Sequence, residues 1–354
     1  MTLHNVIVVM ICLLVMLVIR YRRGGERLWL VSDENGNEAL VMSAVMASHK
    51  TMFMIDTAYA GAPVLSTSFL SVQDRCTHGD MNERYRACID LLRNDVTNDA
   101  RNDAIRKLLL VNGQCQAYTS GCTMRLMGIG ETSEAQSDML LCPALVLGGH
   151  NTSARVNADI FVTNPLQGSP HILTTDYLLQ RSPCVLCPHA GRIYFRNETV
   201  GPHGFEFHPP TFVGGAFVVT MIVGGASLNI VMDTGASAAL SLSSDAIDKL
   251  ETCQNPTPAT RAIQRGVNGE RVCSDVLITK VRIGTLELGV VHVFANSHPV
   301  QGADGYAGMG LLRTVDMWLE PTRIGFRRSG LPVSIPTLTS NGSCPGRKPP
   351  RCAA

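Results

Sequence analysis

Two apolar stretches of the chain end on the same pair of residues. Leu228-Asn229-Ile230-Val231-Met232 runs into Asp233-Thr234, and Thr51-Met52-Phe53-Met54-Ile55 runs into Asp56-Thr57. The two neighbourhoods align without a gap. Ala39 to Asp56 (ALVMSAVMASHKTMFMID) lies against Ala216 to Asp233 (AFVVTMIVGGASLNIVMD), and the match carries on to Leu65-Ser66 against Leu242-Ser243. Each copy reads as two strands and a turn, with the aspartate at the end of the second strand. Self-similarity over such a span is an internal duplication and predicts two related β halves.

The pattern changes between the copies. Met81 to Leu92 and Asp99 to Leu110 carry helical periodicity, so the first half holds a helical insertion within Asp74–Val111. Its bland role is a surface elaboration. At the N-terminus, Val6 to Ile19 is uninterrupted and apolar, followed by Arg20, Arg22, Arg23 and Arg27. That is short of the about 20 residues a membrane span needs. No Lys or Arg precedes it, however, and no small-residue cleavage site follows, so an uncleaved anchor is expected ahead of a cleaved signal peptide.

Duplication matters because of the chemistry of two aspartates. Two carboxyls held about 3 Å apart cannot both ionise, so they share a proton. One can then activate a water while the other protonates a carbonyl oxygen. A repeated unit that offers one aspartate per half is a direct way to build such a pair.

Asp233-Thr234-Gly235-Ala236-Ser237, after its apolar strand, resembles the active-site loop of pepsin- and retropepsin-type aspartic proteases. Their lobe-closing pattern of a buried strand, a short helix and a final strand is resembled twice. It appears in Tyr306–Leu312 with Arg323–Phe326, and in Ile172–Leu178 with Gly191–Phe195. The resemblance spans residues 28 to 328. It implies an all-β, bilobal fold with residues 28–200 as lobe one, 201–328 as lobe two, 1–24 as a membrane anchor and 329–354 as a tail. It further implies catalysis by Asp56 and Asp233, with Thr57 and Thr234 bracing the loops and Ala58 and Gly235 facing substrate. No cofactor or metal is expected. The partner would be a polypeptide bound as an extended strand, and the protein a monomer. Lobe one departs from the family's pattern at Ala58 (usually Gly), at Tyr59 (usually a small residue) and at Thr174 (usually Gly). The competing reading is therefore a membrane-anchored binding or structural protein on a degenerate protease fold. Gln116–Gly121 resembles the family's cleft-covering hairpin, which makes Tyr118 its tip residue; Asn268-Gly269 marks a second hairpin turn.

Composition alters this picture little. A net charge of +1 with 17% charged residues points to no nucleic-acid partner. There are 12 cysteines and sequons at Asn151, Asn197 and Asn341. The cysteines favour disulfides and a lumenal or extracellular face, with glycosylation at the sequons. The arginines after the apolar run argue for the opposite orientation. Cys253 with Cys273, and Cys344 with Cys352, are the expected local bridges. Cys184-Val-Leu-Cys187 could be half of a metal site, but no second CxxC exists, so structural cysteines are expected there.

Overall fold

The computed structural model describes residues 25–32, 38–46, 49–61, 63–66, 116–127, 132–142, 146–147, 159–164, 171–195, 200–253, 261–265, 271–296 and 302–333. The expected anchor, both insertion helices, the three sequons and most of the tail lie outside them. No described helix is long and apolar enough to cross a membrane.

The described chain is mainly β-sheet, and the repeat in sequence is a repeat in strand order. In the first half the order is Glu26–Ser32, Glu38–Met46, His49–Asp56, His171–Thr174, Val64–Ser66, Asp159–Asn164, Thr132–Cys142 and Gln116–Met127. In the second half it is Thr211–Val213, Ala216–Val223, Ala226–Met232, Gly305–Ala307, Leu240–Ser243, Leu286–Asn296, Arg271–Ile283 and Arg261–Arg265. Parallel pairings fall at matching places: Ile55 opposite Leu173 and Met232 opposite Ala307, then Val64 opposite Val162 and Leu240 opposite Val293.

The strand before Asp233 is covered on both faces over Ile230–Met232, whereas the strand before Asp56 buries Phe53 and Ile55 and leaves Met52 exposed. Ile230 and Met232 enter the main core with Phe53, Ile55, Leu173 and Leu311, while Val231 packs on the other side with Val218 and Tyr306. Among the described residues, three short helices follow strands: Thr175–Leu179, Ser244–Asp248 and Met309–Leu312. Thr174 and Ser243 cap the first two by accepting from Tyr177 N and Ala246 N, which satisfies otherwise orphaned donors.

The halves are joined by one sheet that takes strands from both. Its order is Glu206–His208, Arg323–Arg328, Val315–Glu320, Cys184–Cys187, Arg192–Phe195 and Glu26–Ser32. The joint between halves is the antiparallel pairing of Val185 with Trp318 and of Leu186 with Met317. Neither Cys184 nor Cys187 is in a disulfide. Three residues apart on a strand, they face opposite ways: Cys184 enters the main core, and Cys187 packs beside Trp318. They can neither bridge each other nor chelate one ion. Burial, with the Asp316 carboxylate second, pushes the Cys187 thiol up to about 12. Cys253 is disulfide-bonded; the side chain of Cys273, its expected partner, lies outside the described residues.

Two expectations change. Tyr118 is not at a hairpin tip: it sits inside Gln116–Met127 opposite Met139, and the chain reverses only between Met127 and Thr132. The tail begins later than expected, because Ser329 is buried, donates from Oγ to Arg313 O (2.6 Å) and from N to Thr314 O (2.8 Å), and Val333 packs on the core. The second hairpin, pairing Arg265 with Arg271, falls where Asn268-Gly269 marks it.

A buried ion pair ties the halves a second time. Glu38, 7% exposed, meets the Arg313 guanidinium just after helix Met309–Leu312. Removing one partner strands the other charge. Glu38→Ala is therefore expected to lower unfolding free energy by about 3 kcal/mol in urea titrations. The Glu38→Ala, Arg313→Ala double variant should lose less than the two single losses combined.

Candidate active site

Each aspartate ends its strand by turning the chain through its own side chain. Asp56 Oδ1 accepts from Ala58 N (2.9 Å) and Tyr59 N (3.1 Å). Asp233 Oδ1 accepts from Gly235 N (2.9 Å) and Ala236 N (3.0 Å). Such side-chain turns are what short carboxylates do at chain reversals. Here they also fix one oxygen of each carboxyl and leave the other for the space between the halves.

The next residue in each loop binds the two loops together. Thr57 and Thr234 are fully buried and bonded reciprocally. Thr57 N donates to Thr234 Oγ1 and Thr234 N to Thr57 Oγ1, both at 3.1 Å. Thr57 Oγ1 then donates to Met232 O (2.6 Å), and Thr234 Oγ1 to Ile55 O (2.7 Å). A hydroxyl has one proton and two lone pairs, so each threonine is used both as donor and as acceptor. This exchange places Asp56 and Asp233 on adjacent residues of a two-fold arrangement.

Close approach explains the small residues that follow. Gly235 is not in the left-handed region; it is glycine because a Cβ would lie 2.5 Å from Asp56 Oδ2. The Asp56 carboxyl thus rests on the loop whose Gly235 N holds Asp233. Ala58, in the matching place, packs its methyl onto the second half's apolar wall of Ala216, Val218, Val231 and Tyr306. Ala60 does likewise, since a Cβ on Gly215 (φ +85°) would lie 2.2 Å from its own. The alanines of the first loop are therefore interface residues.

Each loop is buttressed by the strand and helix that close its half. In the second half Met309 N donates to Ala236 O (2.7 Å), and Gly308 has no room for a Cβ, which would lie 2.4 Å from Ala238 O. In the first half Thr175 N donates to Tyr59 O (2.9 Å), the matching bond. Thr174, where Gly308 stands in the other half, adds a bond rather than a clash by donating from Oγ1 to Gly61 O (2.6 Å). Thr175 Oγ1 donates to Thr57 O (2.5 Å), and Gly61 N donates to Asp176 Oδ2 (2.8 Å). Thr175, Asp176 and Gly308 fall within the closing segments that the sequence marks, without individual roles assigned there; Ala60 leaves no signal in sequence.

Both aspartates keep part of their surface exposed, yet their carboxyls lie among protein atoms. Burial raises Asp56 above the ordinary carboxylate range, against the pull of its two backbone donors. Burial, with the Asp56 charge second, pushes Asp233 up to about 8. Tyr59 is also raised, by burial and then by Asp56, so its phenol stays neutral. The pair thus keeps a proton where isolated aspartates lose theirs.

Of the expected site residues, the structure brings together Asp56, Thr57, Ala58, Thr234, Gly235 and Asp233. Tyr118 is placed by its backbone alone, within a strand. No group of histidine, cysteine, aspartate or glutamate able to hold a metal ion occurs among the described residues. No protein-family profile matches the chain, and no curated protein matches its sequence.

Two outcomes follow from this geometry. Thr234→Val keeps the shape but removes two buried hydrogen bonds, so urea titration should show a loss of about 2–4 kcal/mol, largely recovered in Thr234→Ser. For pH, a raised carboxyl binds its proton more tightly when folded than unfolded, so this group destabilises the fold as pH rises from its unfolded pKa, near 4, towards its folded one. The melting temperature of the wild type should therefore fall relative to Asp233→Asn between about pH 4 and pH 8, with the two closest at the acid end.

Proposed function

We propose that the chain is an aspartic endopeptidase with a two-lobed, pepsin- or retropepsin-like fold, tethered to a membrane by its N-terminal apolar segment. The observation that carries this reading is the pair of aspartate loops, locked by reciprocal threonine bonds, with burial raising both carboxyls. In this reading the ionised carboxyl, assigned to Asp56, takes a proton from a water whose oxygen attacks the peptide carbonyl carbon. Asp233 gives its proton to the carbonyl oxygen, which yields a neutral tetrahedral diol. Collapse of the diol breaks the C–N bond: Asp56 passes its proton to the leaving nitrogen and Asp233 recovers one from a diol hydroxyl, leaving the new acid and amine and the starting dyad. Every proton taken is returned, and the chemistry asks for nothing beyond the two carboxyls.

In this reading the substrate is an extended, largely apolar peptide bound as an added strand. Ala58, Val213, Ala236, Ala238 and Ala303 are partly buried against the apolar cluster that holds Tyr306. Ala58 supports activity over a degenerate fold, because its methyl occupies a packed place and the loop around it keeps both carboxylate bonds.

The test is hydrolysis of a mixed peptide library by the detergent-solubilised full chain across acid to neutral pH. Asp56→Asn and Asp233→Asn should each lower kcat/KM by about 10²–10⁴-fold or more while circular dichroism stays near wild type and neither variant melts below it at acid pH. Cleavage that survives either substitution would overturn the dyad. No cleavage by the wild type at any pH, with no binding of a statine-containing peptide that mimics the diol, would favour a binding protein instead.

A further inference from the structure

The sheet that joins the halves has a second face, turned away from the main core. Along Val315–Glu320, Met317 and Leu319 enter that core, and Trp318 points the other way. Strand pairing carries this outer side across the sheet: Trp318 stands opposite Gly325 and Val185, Val185 opposite Tyr194, and Arg192 opposite Arg27. Phe205 and Phe207, both half-buried, lie edge-on to Trp318, with ring centroids 5.4 and 5.8 Å away. Arginines share the face with these rings. Arg323 lies over Phe207, Arg327 over Phe205 and Arg27 over Trp29, at 4.3, 4.4 and 5.2 Å, as cations do on aromatic faces.

Charge on this face is uneven. Arg323 is paired with Glu320, and Arg327 with Asp316. Arg27 and Arg192, by contrast, stand directly opposite one another on neighbouring strands. Like charges so placed destabilise a sheet, and an anion beside them would relieve that cost. The chain enters the sheet at the same corner. Arg192 Nη1 donates to Gly25 O (3.0 Å), and a Cβ on Gly25 would lie 2.6 Å from the Tyr194 ring. Ile19, the last residue of the apolar run, is six residues before Gly25, a length of chain that reaches at most about 22 Å. Arg20, Arg22 and Arg23 fall within it.

We propose that the outer face of this sheet lies on a lipid surface with anionic headgroups, an inference that rests on the membrane tether in the reading above. The tether holds the Arg27–Arg192 corner within reach of the headgroup layer, where arginines and amphipathic rings are favoured. There the two guanidiniums meet headgroup phosphates or carboxylates, and Trp29, Tyr194 and the 47% exposed Val31 meet the acyl boundary. The aspartates lie beyond the core from this face, because Ile55 and Met232, just before them, pack in the same core as Leu186 and Met317. The catalytic pair is then turned away from the bilayer. Its substrates are polypeptides that extend clear of the membrane, rather than segments just emerging from it.

The chain has 2 tryptophans, Trp29 and Trp318, and both are on this face. The experiment is fluorescence of the Trp29→Phe full chain in nanodiscs of phosphatidylcholine and phosphatidylserine, with and without bromine on the acyl chains near the headgroups. Trp318 is then the sole reporter, three strands across the sheet from Glu26–Ser32, where the tether enters. Bromine should quench it. Adding Arg27→Glu and Val31→Glu, both at exposed positions, should remove most of that quenching while circular dichroism stays unchanged. Chain that remains with the nanodiscs but shows no quenching of Trp318 overturns the proposal and leaves the tether standing. Equal quenching with the two glutamates added, or in nanodiscs without phosphatidylserine, overturns it as well. Full chain that does not travel with nanodiscs removes the tether and this inference together.

Discussion

The structure depends on the exchange between Thr57 and Thr234. Each threonine lends its hydroxyl to the other loop's N–H and passes its own proton to the carbonyl before the other aspartate. Buried polar groups of this kind are worth most when every member is satisfied. The arrangement therefore has one good geometry, and it is the one that sets two carboxyls against each other. Burial raises both carboxyls, and the Asp56 charge adds to the rise at Asp233, so the fold favours a protonated carboxyl at this place.

Around that exchange the two halves reach the same end by different residues. The second half uses glycines: Gly235 admits the Asp56 carboxyl, and Gly308 lets the closing strand press against Ala236 and Ala238. The first half uses bonds and methyls: Thr174 and Thr175 tie down Gly61 and Thr57, and Ala58 and Ala60 press onto the second half. A duplicated fold needs its central bonds kept alike. Its supports can diverge so long as each fills its own space.

The parts legible in sequence are those the repeat encodes locally. Asp56, Thr57, Asp233 and Thr234 were found because strand, aspartate and threonine recur in one register, and the strand order bears out the two-fold plan. What stayed hidden depends on approach between distant segments. Ala60 against Gly215, Glu38 with Arg313, and Thr175 with Thr57 leave no periodic trace. Tyr118 was misplaced because a tyrosine close to a glycine reads as a tip, whereas the strand pairing runs on past it to Met127 opposite Thr132. Cys184 and Cys187 looked like a motif only until strand alternation turned them to opposite faces.

The central claim is that Asp56 and Asp233 hold one proton between them. The most direct measurement is a ¹³C NMR titration of the aspartate carboxyl carbons in the full chain, with Asp56→Asn and Asp233→Asn for assignment. The account predicts two coupled steps, with one carboxyl still protonated at about pH 7 in the wild type and that late step lost in either variant. A titration in which every aspartate ionises below about pH 5 would contradict it.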